Sequence, residues 1–270
     1  MIDSFLTALS QWFFLRSLLV VMLLALVFPL YGNIVIVRQE ANIAHTFAHI
    51  WLLWVAIGLR YDRPIELSIF GSIVATIVFL FFLGSQTSQD QVTHNEIWAQ
   101  LWLVWAILIV SQMSGYKADI TSYLFGDILL LGSQDVYVIL GIMLVCALLY
   151  RVYGRQRYAL SLHSSLAKSK NISVNSTYFI YILALGLLIG GAMKIIWVLL
   201  VSAFLVLPSN ISKLIAKNKT QRDVIAVCIC CIVSIVWLFL SWYMDTPSGA
   251  SIVALLILIY LVCMIPKRIK

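Results

Sequence analysis

Long apolar blocks separated by short polar gaps run the length of the chain. Blocks near residues 12–37, 43–59, 65–84, 97–114, 134–153, 223–243 and 249–266 have the length that a hydrocarbon core roughly 30 Å thick demands of a spanning helix. An eighth apolar stretch, 177–207, is longer than one crossing. The pattern predicts an all-α membrane protein, a polytopic bundle of about 8–9 transmembrane helices. The first block is expected to remain as a membrane helix, because no Lys or Arg precedes it and Asp3 does.

The gaps divide the charge unequally. Arg38; Arg151, Arg155, Arg157, Lys168 and Lys170; Lys213, Lys217, Lys219 and Arg222; and Lys267, Arg268 and Lys270 fall in alternate gaps, while the intervening gaps hold only Arg60, Arg63 and Lys117. The richer set belongs in the cytoplasm, which puts the N-terminus outside and the C-terminus inside. The gap at 85–96 should then be cytoplasmic, although it has no Lys or Arg. Both flanks of 177–207 are basic, so this stretch must enter and return. At about 1.5 Å per residue it supplies about 46 Å of helix, short of the roughly 60 Å of two full crossings, which implies two short or broken helices. Gly186, Gly190 and Gly191, followed by Lys194, mark either the turn or a close helix contact.

Composition agrees: 63% of residues are hydrophobic and 11% charged, against about 45–50% and about 25% in soluble domains. The net charge of +7 therefore reports membrane topology, and no nucleic acid is expected as a partner. One domain spans 1–270, within which 151–176 is the largest cytoplasmic loop; Ser161 to Lys170 fits either a surface helix or a solvated linker. Cys146, Cys228, Cys230, Cys231 and Cys263 all lie in apolar blocks without a CxxC pair, which argues against a disulfide or a thiolate zinc site.

His45 and His49, in HTFAH, lie four apart and share a helix face. Two imidazoles on one face suit zinc, copper, iron or nickel, and an ionisable side chain at membrane depth is a functional candidate. Interfacial hydrogen bonding is the alternative for His45, one turn from the helix end. Asp127, in YLFGD, sits in an outer segment apolar enough to dip into the membrane, where it caps a short helix or faces a gate; Asp245 opens DTPSG, ordinary turn chemistry. HExxH, GxSxG and GxxxxGK[ST] are all missing, so metalloprotease, serine hydrolase and intrinsic ATPase readings fail. A membrane metalloenzyme using HxxxH remains a rival reading.

Four ordered landmarks carry a resemblance over nearly the whole chain: Ala44-His45-Thr46-Phe47-Ala48-His49; Asp119-Ile120-Thr121-Ser122-Tyr123-Leu124-Phe125-Gly126-Asp127-Ile128; Gly191-Ala192-Met193-Lys194 through Leu207-Pro208-Ser209; and Asp245-Thr246-Pro247-Ser248-Gly249-Ala250. The chain resembles the permeases of ABC importers for zinc, manganese and iron, most closely zinc-uptake permeases, with a fold similar to type II ABC importers. The resemblance implies a transport subunit, not an enzyme, in the cell (inner) membrane. It implies a second copy of the permease around a shared path, two cytoplasmic ATPase subunits and an extracytoplasmic metal-binding protein. Zn(2+) is then transported substrate, with no permanently bound cofactor. His49 and His45 become transient ligands; Asp127, Asp245 and Lys194 become gate or pathway candidates. His163, Ser164, Ser165, Leu166, Ala167 and Lys168 fall in the segment that meets the ATPase. The family's acidic position is His45 here, so the motif alone gives His plus His, which favours zinc over manganese. The coupling segment has also lost its acidic and proline positions. Manganese or iron remain alternative cargoes.

Overall fold

The computed structural model describes residues 11–63, 65–83, 90–113, 132–162, 174–193, 198–244 and 248–268. Among these residues nine helices follow one another: α1 (Trp12–Val37), α2 (Ile43–Arg60), α3 (Ile65–Leu83), α4 (Asp90–Ser111), α5 (Ser133–Leu162), α6 (Val174–Met193), α7 (Val198–Ile215), α8 (Lys219–Met244) and α9 (Ser248–Arg268). Five contain a stretch long and apolar enough to cross a membrane: Trp12–Val37, Ile43–Arg60, Ser133–Gly154, Ser176–Met193 and Lys219–Ser241. Shorter apolar helical stretches run over Glu96–Ser111, Leu200–Ile215 and Ser251–Ile265. A bilayer offers backbone amides no water, so helices that satisfy their own amides are the form such sequences must take.

Helix α1 is the axis of the bundle. It packs against α5, α7 and α8, while α2 lies between α3 and α4, and α9 covers α7 and α8. The core they enclose includes Leu24, Phe28, Tyr31, Trp51, Leu188 and Phe204. The tightest crossing is between α1 and α7. A Cβ on Gly32 would stand 1.8 Å from the Leu205 carbonyl oxygen, so only glycine lets these backbones meet. One turn away, the Ser209 hydroxyl donates to the Pro29 carbonyl at 3.1 Å.

The stretch 177–207 falls on two helices, α6 and α7, and the apolar part of the second, Leu200–Ile215, is shorter than a full crossing, as the length argument requires. Helix α6 has 20 residues and α7 has 18, because polar residues at the outer ends, such as Asn175, Ser176 and Asn210, are helical too. The three glycines are contact points inside α6, not its turn. A Cβ on Gly190 would come 2.6 Å from Ile73, and one on Gly191 would come 2.5 Å from Ile142. The proposed loop 151–176 also changes: α5 continues to Leu162 and α6 begins at Val174, since a basic, glycine-poor sequence has good helix propensity. Residues 163–173, with most of the Ser161–Lys170 segment, lie outside the described residues.

Polar contacts gather helix ends that the charge pattern assigned to one side. Asp223 of α8 accepts from Asn33 Nδ2 of α1 and from the Tyr150 hydroxyl of α5, each at 2.8 Å. The Ser212 hydroxyl of α7 donates to Asn33 Oδ1 at 3.2 Å, and Lys219 Nζ donates to the Gly154 carbonyl at 3.2 Å. The start of α4 belongs to this end as well, through a hydrogen bond from Asn42 to Glu96. Glu96, at the edge of the gap without Lys or Arg, thus stands beside the turn that follows α1.

Replacing Gly32 with Ala should force the α1 and α7 backbones apart, whereas Gly141, with no atom within 4 Å of an added Cβ, should accept Ala unharmed. A fall of several degrees in the melting midpoint of detergent-solubilised Gly32→Ala, against none for Gly141→Ala, is the expected result.

Candidate metal site between two helix starts

Five residues link α1 to α2, and they are held tightly. Arg38 N–H donates to the Ile34 carbonyl and Glu40 N–H to the Val35 carbonyl, each at 3.0 Å, closing the end of α1 around Gln39 with its φ of 59°. The Arg38 guanidinium pairs with Glu40 at 2.8 Å and lies over the rings of Tyr178 and Tyr181 of α6, 5.0 and 5.4 Å from their centroids. The Tyr181 hydroxyl donates to Glu40 Oε2 at 3.0 Å. Burial works against the charged guanidinium, but the Glu40 carboxylate and its hydrogen bond outweigh it and hold the Arg38 pKa above its ordinary value.

This turn delivers Asn42 to the start of α2. Asn is a preferred helix-capping residue, yet here its side chain makes no capping bond. It reaches across to Glu96 of α4 instead. Asn42, His45, Thr46 and His49 from α2 face Glu96, Ala99 and Gln100 from α4 across an open cavity of about 630 Å³. Four-residue spacing puts each set on one face of its helix.

The two histidines differ. His45 is exposed. His49 is half-buried, with Nδ1 3.1 Å from the Ala99 carbonyl oxygen. A carbonyl can only accept, so His49 Nδ1 carries hydrogen and the lone pair of the neutral ring is on Nε2. A ring oriented by a backbone carbonyl with its other nitrogen available is a common state of a metal-ligating histidine. His45 and His49 line one cavity from α2. Glu96, Asn42 and Gln100 are additions from the structure, and Glu96 brings a carboxylate to a face whose motif holds only imidazoles. Among the described residues no three His, Cys, Asp or Glu side chains are already gathered as a ligand set. Asp127, Asp245, Lys194, His163, Ser164, Ser165, Leu166, Ala167 and Lys168 lie outside the described residues.

The cavity thus opens within a bundle of long apolar helices. The chain belongs to the ABC 3 transport family, whose model matches residues 10–267; it is a transport component, not an enzyme. It is 25% identical to an uncharacterized membrane protein of Synechocystis over 99% of this chain and 95% of that one. It is 25% identical to the high-affinity zinc uptake system membrane protein ZnuB of Haemophilus influenzae, over 88% of this chain and 91% of the relative. With the manganese import system permease protein ScaB of Streptococcus gordonii the identity is 24%, covering 97% and 94%. The fold matches PsaBC from Streptococcus pneumoniae in complex with Fab at a TM-score of 0.82 and 21% identity, covering 97% of this chain and 95% of that one.

Glu40→Gln should destabilise the detergent-solubilised protein by about 1–3 kcal/mol, because it leaves the partly buried Arg38 charge without its counter-ion. Thermal melts should recover much of the loss in the double variant Arg38→Met with Glu40→Gln.

Proposed function

We propose that this chain is the permease of an ATP-driven importer that carries a divalent transition metal, zinc first among them, into the cytoplasm. The observation that carries the reading is the cavity in which His45 and His49 face Glu96, with His49 Nδ1 held at the Ala99 carbonyl so that Nε2 is the atom left to meet a metal. The family supplies the energetic frame: ABC permeases work with ATPase subunits and, in importers, with a substrate-binding protein. The relatives named for zinc uptake and manganese import support a metal as cargo.

A second copy of the chain fits the exposed face. Glu96 and His45 are both exposed in a lone protomer, and ionisable groups left against lipid are costly. A partner protomer across this face would enclose the cavity as a shared path. Orientation follows the charge pattern: the end bearing Arg38 and Lys219 faces the cytoplasm of a cell with an inner membrane. An incomplete ligand set suits transport, because a cation held too firmly is not released.

Manganese is the second reading, favoured by one observation: Glu96 adds a hard oxygen donor to the imidazoles. His49→Ala, reconstituted in vesicles with the cognate ATPase and binding protein, should lose zinc uptake by at least tenfold while the protein remains folded. Unchanged uptake would sink the transport role of the cavity. Competition of uptake by manganese and iron ranks the cargoes.

A further inference from the structure

The Asn42–Glu96 contact assigns Glu96 a role that goes beyond lining the cavity. The geometry points to Glu96 as a withheld metal ligand: the Asn42 carboxamide holds its carboxylate off the two imidazoles until the arriving dication collects it, so that Asn42 sets how tightly the site grips. This rests on the transport reading above and specifies how the site is regulated.

Three observations combine. Glu96 takes its hydrogen bond from the neutral Asn42 carboxamide, whereas Glu40 is paired with the Arg38 guanidinium. An acid held by a neutral donor in a cavity walled by imidazoles is a site whose charge a metal would balance. Next, Asn42 has helical dihedrals and makes no side-chain cap to α2, so its carboxamide is free to donate across the cavity to Glu96. Backbone carbonyls serve the first turn instead, Glu40 accepting from Ile43 N–H and Asn42 from His45 N–H, which leaves the Asn42 side chain to Glu96. Finally, the histidines and Glu96 share one cavity but are not gathered within ligand reach of each other. Assembly needs Glu96 to leave Asn42, and a carboxylate exchanging one neutral donor for a dication gains on electrostatic grounds. When the cation departs, the carboxamide is there to take the carboxylate back.

The two partners of this contact therefore have opposite effects, which a packing role does not predict. Glu96→Gln removes the anionic ligand. Asn42→Ser keeps a capping residue but is too short to hold Glu96, which becomes free to bind metal. In the assembled transporter, zinc affinity by chelator competition and the kinetics of vesicle uptake are measured for both, with melting curves to confirm folding. Expected are a roughly tenfold or larger loss of zinc affinity and a raised KM for Glu96→Gln. For Asn42→Ser, affinity should rise severalfold and KM fall, with maximal uptake reduced because release is slowed. Shifts in the same direction for both variants, or no shift in either, overturn the inference. If His49→Ala abolishes uptake while Glu96→Gln behaves as the parent, the withheld-ligand role fails and the transport reading stands. If His49→Ala is inert, the transport reading fails first.

Discussion

Asp223 fixes the geometry on which everything at one end of the bundle depends. Its two carboxylate oxygens take hydrogen bonds from α1 and α5, and Asn33 passes the connection to α7 through Ser212. Near a bilayer, where water is scarce and every polar group needs a protein partner, such a node is stiff: moving one helix breaks bonds to two others. With the end of α1 pinned, the Arg38–Glu40 turn has one place to go, against Tyr178 and Tyr181. That placement decides where α2 starts, and with it where Asn42 and the histidines stand relative to α4. The cavity is thus set by a carboxylate that takes no part in it.

The fold was largely legible because the bilayer makes hydrophobic length informative. The blocks at 12–37 and 43–59 became α1 and α2 nearly residue for residue. Where the reading fell short, polar residues were taken as breaks. Asp90 to Glu96 looks like a loop by hydropathy yet forms the first turns of α4, and the basic run after Tyr150 continues α5. Charge marks where a helix leaves the membrane, not where it stops being a helix. The same confusion hid Glu96. Its sequence signals were modest: an acid opening an apolar block, with Gln100 one turn on. Nothing in spacing within α4 could show that this face meets His45 and His49, because a contact between α2 and α4 is tertiary. The histidine pair was visible because its geometry is local to one helix.

The site also shows why a motif reading of charge was incomplete. With His at position 45, α2 alone offers imidazoles and no anion. The facing helix supplies the carboxylate, so hardness and charge belong to the cavity, not to either helix. Family membership is secure from the match over residues 10–267, while Glu96, which faces the histidines, lies outside the HxxxH motif of α2.

Helix α5 has a mechanical consequence. At 30 residues it is about 45 Å long, roughly 15 Å more than a hydrocarbon core requires. Tyr150, tied to Asp223, is its fulcrum, and the arm from there to Leu162 is about 18 Å. A tilt of about 10° about this point moves the arm's tip by roughly 3 Å, while the inner portion at the fulcrum hardly shifts. Any load at the tip would act on the Asp223 contact with the leverage of that arm, a small displacement at the contact answering a larger one at the end of the helix.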